Sequence, residues 1–325
     1  MDQKRIDFRR IGIFLGFAYG IAWSCALVIY LTGGLVNSPQ LGGTGISLAL
    51  VLLATVYMGA PAMAHILTRL VTGEGWKNLN LQPKFRKGWG YWLAAYFGPG
   101  ILTIIGGLFF FLVFPQYYDP ALGKIQELFS TTAARTGQPI PAINPWIIVA
   151  AQTAQAMLIA PVINSLFTFG EEFGWRAYLQ PKLMPLGGRK AMMIMGLIWG
   201  VWHWPVIAMG HNYGLDYIGF PWLGMLAMVW FTILLGTCLG WVTLRAGSVW
   251  PAVIGHAAIN GIAGIAILFV KGQPNPLQGP MPVGIVGSMG FTLVVLALFL
   301  KPGALNQQDE KTEVLREIEK VVELK

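Results

Sequence analysis

The sequence predicts an all-α, polytopic membrane protein of about eight transmembrane helices, with both termini on the cytoplasmic side. Three observations carry that prediction. Only 11% of the 325 residues are charged, whereas soluble domains run near about one quarter. The charges also avoid long tracts: 11–68, 88–118, 136–170, 191–215, 217–244, 246–270 and 272–300 hold no Asp, Glu, Lys or Arg. Each tract can hold the roughly 20 apolar residues that cross a bilayer as a helix. Finally, the basic residues recur at alternate gaps between the tracts.

The spans fall at about 11–32, 46–71, 91–114, 145–170, 191–209, 221–244, 249–270 and 281–300. The first long tract divides at Gly33-Gly34 and Asn37-Ser38-Pro39, which are loop signals. The first span follows a basic N-terminus but is too long for a signal peptide and lacks a small-residue cleavage site, so it reads as a retained anchor. With the N-terminus inside, all 22 basic residues except Lys124, Arg135 and Lys271 fall in cytoplasmic segments, as the positive-inside bias requires. The net charge of +8 and pI near 9.5 then express topology and attraction to anionic lipid, not nucleic-acid binding. Cys25 and Cys238 both lie in apolar runs and supply neither a disulfide framework nor a Cys-rich metal site.

Residues 1–303 read as one transmembrane domain. The outside loop at about 115–144 carries Pro115, Pro120, Pro139 and Pro141 and is expected to fold over the membrane surface. The tail, 304–325, is dense in charge, and Val314, Leu315, Ile318, Val321 and Val322 recur at helical spacing. It reads as a short amphipathic cytoplasmic helix or as a solvated tail without a role.

Ionisable groups at membrane depth are expensive and mark candidate functional sites. Of 14 acidic residues, 12 fall in termini or loops, and the remaining two, Glu171 and Glu172, stand at the end of the fourth apolar run. No helix breaker follows until Pro181, so Glu172 and Arg176 are i,i+4 on one face and pair. Glu171 points about 100° away and is left for chemistry; two interfacial charges at a helix end remain the bland alternative. Trp199 and His203 share a face ahead of Pro205, and His256 and Asn260 are i,i+4 among Gly255, Ala257, Ala258 and Gly261. Alone, each of these pairs reads as packing or as a polar clamp between helices. His65 is assigned to structure.

Together they change the reading. A carboxylate and a histidine can take a proton from water and aim it, while a second histidine and a carboxamide donate to the oxyanion of an attacked amide. No Ser or Cys nucleophile with a neighbouring His and no His-Glu-x-x-His pattern is present. One zinc on Glu171, His203 and His256 stays open on residue types alone. On these span boundaries His203 lies about 18 Å, and His256 about 10 Å, from the cytoplasmic start of its helix, so the spans or tilts must differ for the two to meet.

The ordered set Glu171-Glu172-Phe-Gly-Trp-Arg176, Trp199-Gly-Val-Trp-His203 and His256-Ala-Ala-Ile-Asn260 resembles the type II CAAX prenyl endopeptidases. These belong to the wider CPBP (or Abi) superfamily of CAAX proteases and bacteriocin-processing enzymes. The family pattern is Glu-Glu-x-x-x-Arg, aromatic-x-x-x-His, then His-x-x-x-Asn; here Trp stands where Phe is common. The resemblance covers about 160–265. It implies an eight-helix, metal-independent and cofactor-free intramembrane glutamic endopeptidase of the plasma (inner) membrane, with a cavity reached from the cytoplasm or the bilayer. Glu171 is then the base with His203 beside it, and His256 and Asn260 form the oxyanion hole. Glu172, Arg176 and Trp199 support them. The implied partner is a membrane-bound peptide or protein, prenylated or not. A non-enzymatic immunity factor or scaffold of the same family is the alternative. A transporter is disfavoured because no polar constellation in the first four spans repeats the one that begins at Glu171.

Overall fold

The computed structural model describes residues 6–137 and 143–306. Among them every regular element is helical, and two isolated bridges are the only β features. The principal helices are α1 (Phe8–Leu31), α2 (Leu48–Thr72), α3 (Phe85–Val113), α4 (Gly123–Thr136) and α5 (Pro145–Leu158). They are followed by α6 (Ala160–Leu186), α7 (Gly188–Trp202), α8 (Trp222–Ala246), α9 (Trp250–Phe269) and α10 (Met289–Leu300). The amphipathic helix expected at 304–325 lies, from 307 onward, outside the described residues. The expected 115–144 loop contains α4.

The all-α membrane class holds, but helix lengths do not establish eight spans. Five helices (α1, α2, α3, α8 and α9) are long and apolar enough to cross a bilayer, and α5 with α6 makes a sixth if their 47° bend lies within one span. Helix α7 has 15 residues and α10 has 12. The apolar runs expected at 191–209 and 281–300 are partly irregular chain: helix α7 ends before Pro205, and residues 281–288 form turns after Gly279 and Pro280. Hydropathy does not distinguish a helix from buried irregular backbone, and the latter is tolerated where protein surrounds it.

Helices α1 and α2 run antiparallel. The Arg10 guanidinium at the start of α1 donates to the Thr72 hydroxyl at the end of α2, while the Cys25 thiol lies 3.7 Å from the Leu52 carbonyl at the other end of the pair. Tyr19 and Trp23 of α1 donate to the carbonyls of Ile198 and Trp202, which sets α1 parallel to α7. One end of the bundle therefore gathers Arg10, Arg69, Lys182 and Arg245. There Glu74 accepts from Lys182 at 2.6 Å and from the Tyr178 hydroxyl at 2.9 Å. Arg245 donates to the carbonyls of Gly303 and Ala304. Lys124 and Lys271 lie at the opposite end, where Asp119 and Lys271 pair through backbone with Phe269 and Tyr117.

Two widened turns shape the helices that matter most. A π-turn covers Leu53–Tyr57 ahead of Pro61 in α2, and another covers Trp175–Leu179 ahead of Pro181 in α6. Proline lacks a donor and crowds the carbonyl four residues earlier; a π-turn relieves that conflict without ending the helix. Helix α6 therefore runs through Glu171, as the lack of a breaker before Pro181 implies, and continues past that proline to Leu186. Residues 171–180 are all buried. Helix α6 crosses α2 almost backbone to backbone. A Cβ on Gly170 would lie 2.8 Å from the Met58 carbonyl, and one on Gly174 would overlap Pro61. His65 also ties the two: Arg69 Nε donates to its Nε2 at 2.7 Å, so its Nδ1 carries the hydrogen and donates to the Phe173 carbonyl at 2.8 Å.

Candidate active site

Helices α6, α7 and α9 bring the predicted polar residues into one cluster. Glu171 Oε2 accepts the indole N–H of Trp199 at 2.8 Å. Glu172 Oε1 accepts from Arg176 Nη1 at 3.0 Å and from His256 Nδ1 at 2.8 Å. The ion pair read from the i,i+4 spacing is present with both partners at 0% exposure. A buried ion pair is costly unless it is well enclosed by further bonds. His256 supplies one of these, and the face of Trp199 another, with the Arg176 carbon Cζ 4.5 Å from the ring centroid.

The two glutamates differ in what they face. Glu172 is held through Oε1 by Arg176 and His256, and its Oε2 is buried without a partner; Glu171, whose Oε1 has no hydrogen bond among the described residues, lines a cavity. His256 Nε2 lies 4.0 Å from that Oε1. His203 donates from Nδ1 to the Trp199 carbonyl at 2.8 Å, which leaves the Nε2 lone pair of its neutral form unengaged. No hydrogen bond or ion pair joins it to Glu171 among the described residues, although both line the same cavity, and His256 also stands beside the carboxylate. Asn260 is exposed, one turn beyond His256 on α9.

A cavity of about 400 Å³ is lined by Glu171, Trp199, His203, His256 and Asn260 together. The depth mismatch expected between His203 and His256 does not keep them apart: both line this one cavity. Glu171 and His203 lie equally far in sequence from the turn at Gly187, on opposite arms of the α6–α7 hairpin. Among the described residues no group of three or more His, Cys, Asp or Glu side chains is arranged to hold a metal ion.

The cavity also has walls that the sequence reading missed. Tyr57 enters from the π-turn of α2 and donates to the Trp202 carbonyl at 2.6 Å. His211, Asn212 and Met281 come from irregular segments, where no periodicity could flag them. One missed signal was legible: Gly170 and Gly174 form a small-x-x-x-small pair bracketing Glu171-Glu172, the pattern that lets membrane helices approach closely.

Fold and site define a polytopic helical membrane protein with a buried carboxylate–imidazole cluster open to a cavity. The sequence model of one family, described as Rce1-like type II CAAX prenyl endopeptidase, matches residues 146–262, which contain every polar residue of the cluster. Over that segment, about a third of the chain, the match supports the resemblance to the CPBP family, whose activity at family level is CAAX-type intramembrane proteolysis of membrane-associated proteins. No curated protein matches the chain.

Proposed function

We propose that the protein is an endopeptidase of the plasma (inner) membrane that cleaves membrane-associated proteins with glutamate-activated water. The observation that carries this reading is the division of the acidic pair: Glu172 is consumed by Arg176 and His256, while Glu171 faces a cavity shared with His203, His256 and Asn260.

Glu171 Oε1 takes a proton from a water in the cavity. The Nε2 lone pair of His203 accepts that water's other hydrogen and aims its oxygen at the scissile carbonyl carbon. The attack creates an oxyanion, to which the Asn260 amide and the Nε2–H of His256 donate. Glu172 orients that ring through its Nδ1. Collapse breaks the C–N bond, and the leaving amine takes the proton held by Glu171, which returns to its ionised form. Trp199 holds the carboxylate in place through the other oxygen. The scheme uses side chains alone, with no metal or cofactor. The family match carries the choice of a membrane-bound peptide as substrate, lipidated or not.

The test is cleavage of a membrane-peptide library by the purified protein, with Glu171→Gln as the paired variant. Discrete cleavage products from the wild type alone support the reading. Products of equal yield from both proteins contradict it.

A further inference from the structure

The buried Glu172–Arg176 pair leaves hydrogen-bonding capacity unused. Arg176 spends Nη1 on Glu172 at 3.0 Å, but its Nε and Nη2 have no partner among the described residues. Those two nitrogens form one edge of the planar guanidinium, so their hydrogens point the same way. Gln180, four residues on, has the opposite need. Its Nε2 donates to the Gly240 carbonyl at 3.1 Å, which fixes the orientation of the amide, and its Oε1 has no partner among the described residues. Arg176 is 0% exposed and Gln180 2%. A buried polar group without a partner costs stability, and a charged one costs more.

Both unpartnered groups lie against one stripe of helix α8. A Cβ added to Gly236 would have Arg176 Nη2 as its closest neighbour, at 3.5 Å. Trp199 Cε3 follows at 3.7 Å and Gly196 Cα at 3.8 Å. All three are ordinary contact distances, so there is room for a methyl-sized group beside the guanidinium. One turn further along α8, a Cβ on Gly240 would lie 3.1 Å from Gln180 Oε1 and would overlap the Met192 sulfur. The two glycines therefore stand beside the two side chains in the same order, Gly236 at Arg176 and Gly240 at Gln180.

We infer that a buried water sits beside Gly236 and bridges the two side chains, accepting from the Arg176 edge and donating to Gln180 Oε1. The chemistry of the ligand follows from its partners. Unpaired donors on one side and an unpaired acceptor on the other call for a molecule that both accepts and donates. An anion would suit Arg176 but would be repelled by Gln180 Oε1 and by the Glu172 carboxylate; a cation would be repelled by the guanidinium. Buried waters typically make about three hydrogen bonds to polar groups that the protein leaves unpaired. The bridge extends the ion pair into a chain of Glu172, Arg176, water, Gln180 and the Gly240 carbonyl. Helix α8 makes no hydrogen bond to Glu172 among the described residues, yet through this chain it helps to fix the glutamate that orients His256. The site stands whether or not the protein is a protease.

The experiment pairs thermal melting with radiolytic hydroxyl-radical footprinting of the purified full-length protein. Gly236→Ala fits without a clash, and alanine exceeds glycine in helix propensity, so in a dry gap it raises the melting temperature. Where it displaces a water it leaves Arg176 and Gln180 unpaired, and the expected result is a melting temperature below that of the wild type. Footprinting detects the water directly, because radicals form from it in place. Met192 is 0% exposed, and its sulfur stands beside Gln180 Oε1. Brief X-ray exposure is expected to oxidise Met192 in the wild type, and several-fold less in Gly236→Ala and in Gln180→Leu. Four results would each overturn the site. They are a melting temperature of Gly236→Ala at or above the wild-type value, Met192 left unoxidised in the wild type, equal oxidation in all three proteins, or wild-type stability that rises with chloride while that of Gly236→Ala does not. The last would assign the space to an anion.

Discussion

The indole N–H of Trp199 donates to Glu171 at 2.8 Å, although the two residues stand on opposite arms of the α6–α7 hairpin. The same ring carries the Arg176 guanidinium on its face, so Trp199 sits between the free carboxylate and the ion pair that occupies its neighbour. Trp199→Phe keeps the face and removes the donor. A hydrogen bond to a charged group is worth about 1.5–3 kcal/mol. The expected outcome is a fall in kcat of roughly 10- to 100-fold with KM little changed. Steady-state kinetics on a cleaved peptide decide it; a rise in KM at constant kcat would assign Trp199 to substrate binding instead.

Glu172 has a different fate. Replacing it by Gln removes the negative charge between Arg176 and His256 in a site without exposure to water. Breaking a buried pair typically costs about 3–5 kcal/mol. Glu172→Gln is expected to lower thermal stability sharply, with a loss of turnover smaller than that of Glu171→Gln. Melting curves and rates for both variants test the split. Equal losses of turnover in two equally stable proteins would contradict it.

The α2–α6 crossing is as close as it is because Gly174 has no Cβ. Gly174→Ala drives a methyl into Pro61, and backbone at that contact cannot yield as a flexible side chain would. The expected effect is destabilisation of about 1–3 kcal/mol, with displacement of the adjacent glutamates and loss of activity in the folded fraction. Gly12 has open space where its Cβ would be, so Gly12→Ala on α1 is the control and should melt as the wild type does.

At the cation-rich end, burial pushes the Glu74 carboxyl up, but hydrogen bonds from Lys182 and Tyr178 and the charges of Lys182 and Arg69 outweigh it, leaving its pKa below the ordinary carboxylate value. A carboxylate with a depressed folded-state pKa contributes stability above its unfolded value and loses it as pH falls through the folded one. The melting-temperature gap between wild type and Glu74→Gln should be full at neutral pH and close on acidification below the ordinary carboxylate range. A gap that stays constant with pH would show that the clamp does not act through charge.

Much of this was legible in the sequence because the bilayer makes polar residues informative. The charge-free tracts marked the apolar helices, and the i,i+4 spacing separated Glu172, with Arg176, from Glu171. Two kinds of feature were not legible. Pro181 looked like a helix stop, yet a π-turn carries α6 past it to Leu186. Arg69 stands one turn from His65, but the partner that gives that pair its meaning, the Phe173 carbonyl, belongs to another helix. Tyr57, His211, Asn212 and Met281 reach the cavity by tertiary placement of a π-turn and of irregular chain. The placing of His256 beside Glu171 also depends on how α9 leans against α6, which no spacing within α9 encodes.

The most direct measurement of glutamate-activated hydrolysis is turnover of a cleavable membrane peptide by chelator-treated wild type and Glu171→Gln, side by side. The expected result is undiminished cleavage by the wild type after chelation and a loss of about 10²–10⁴-fold in the variant, with matching melting curves. Cleavage that is abolished by chelator and restored by zinc, or that survives Glu171→Gln at the wild-type rate, would contradict it.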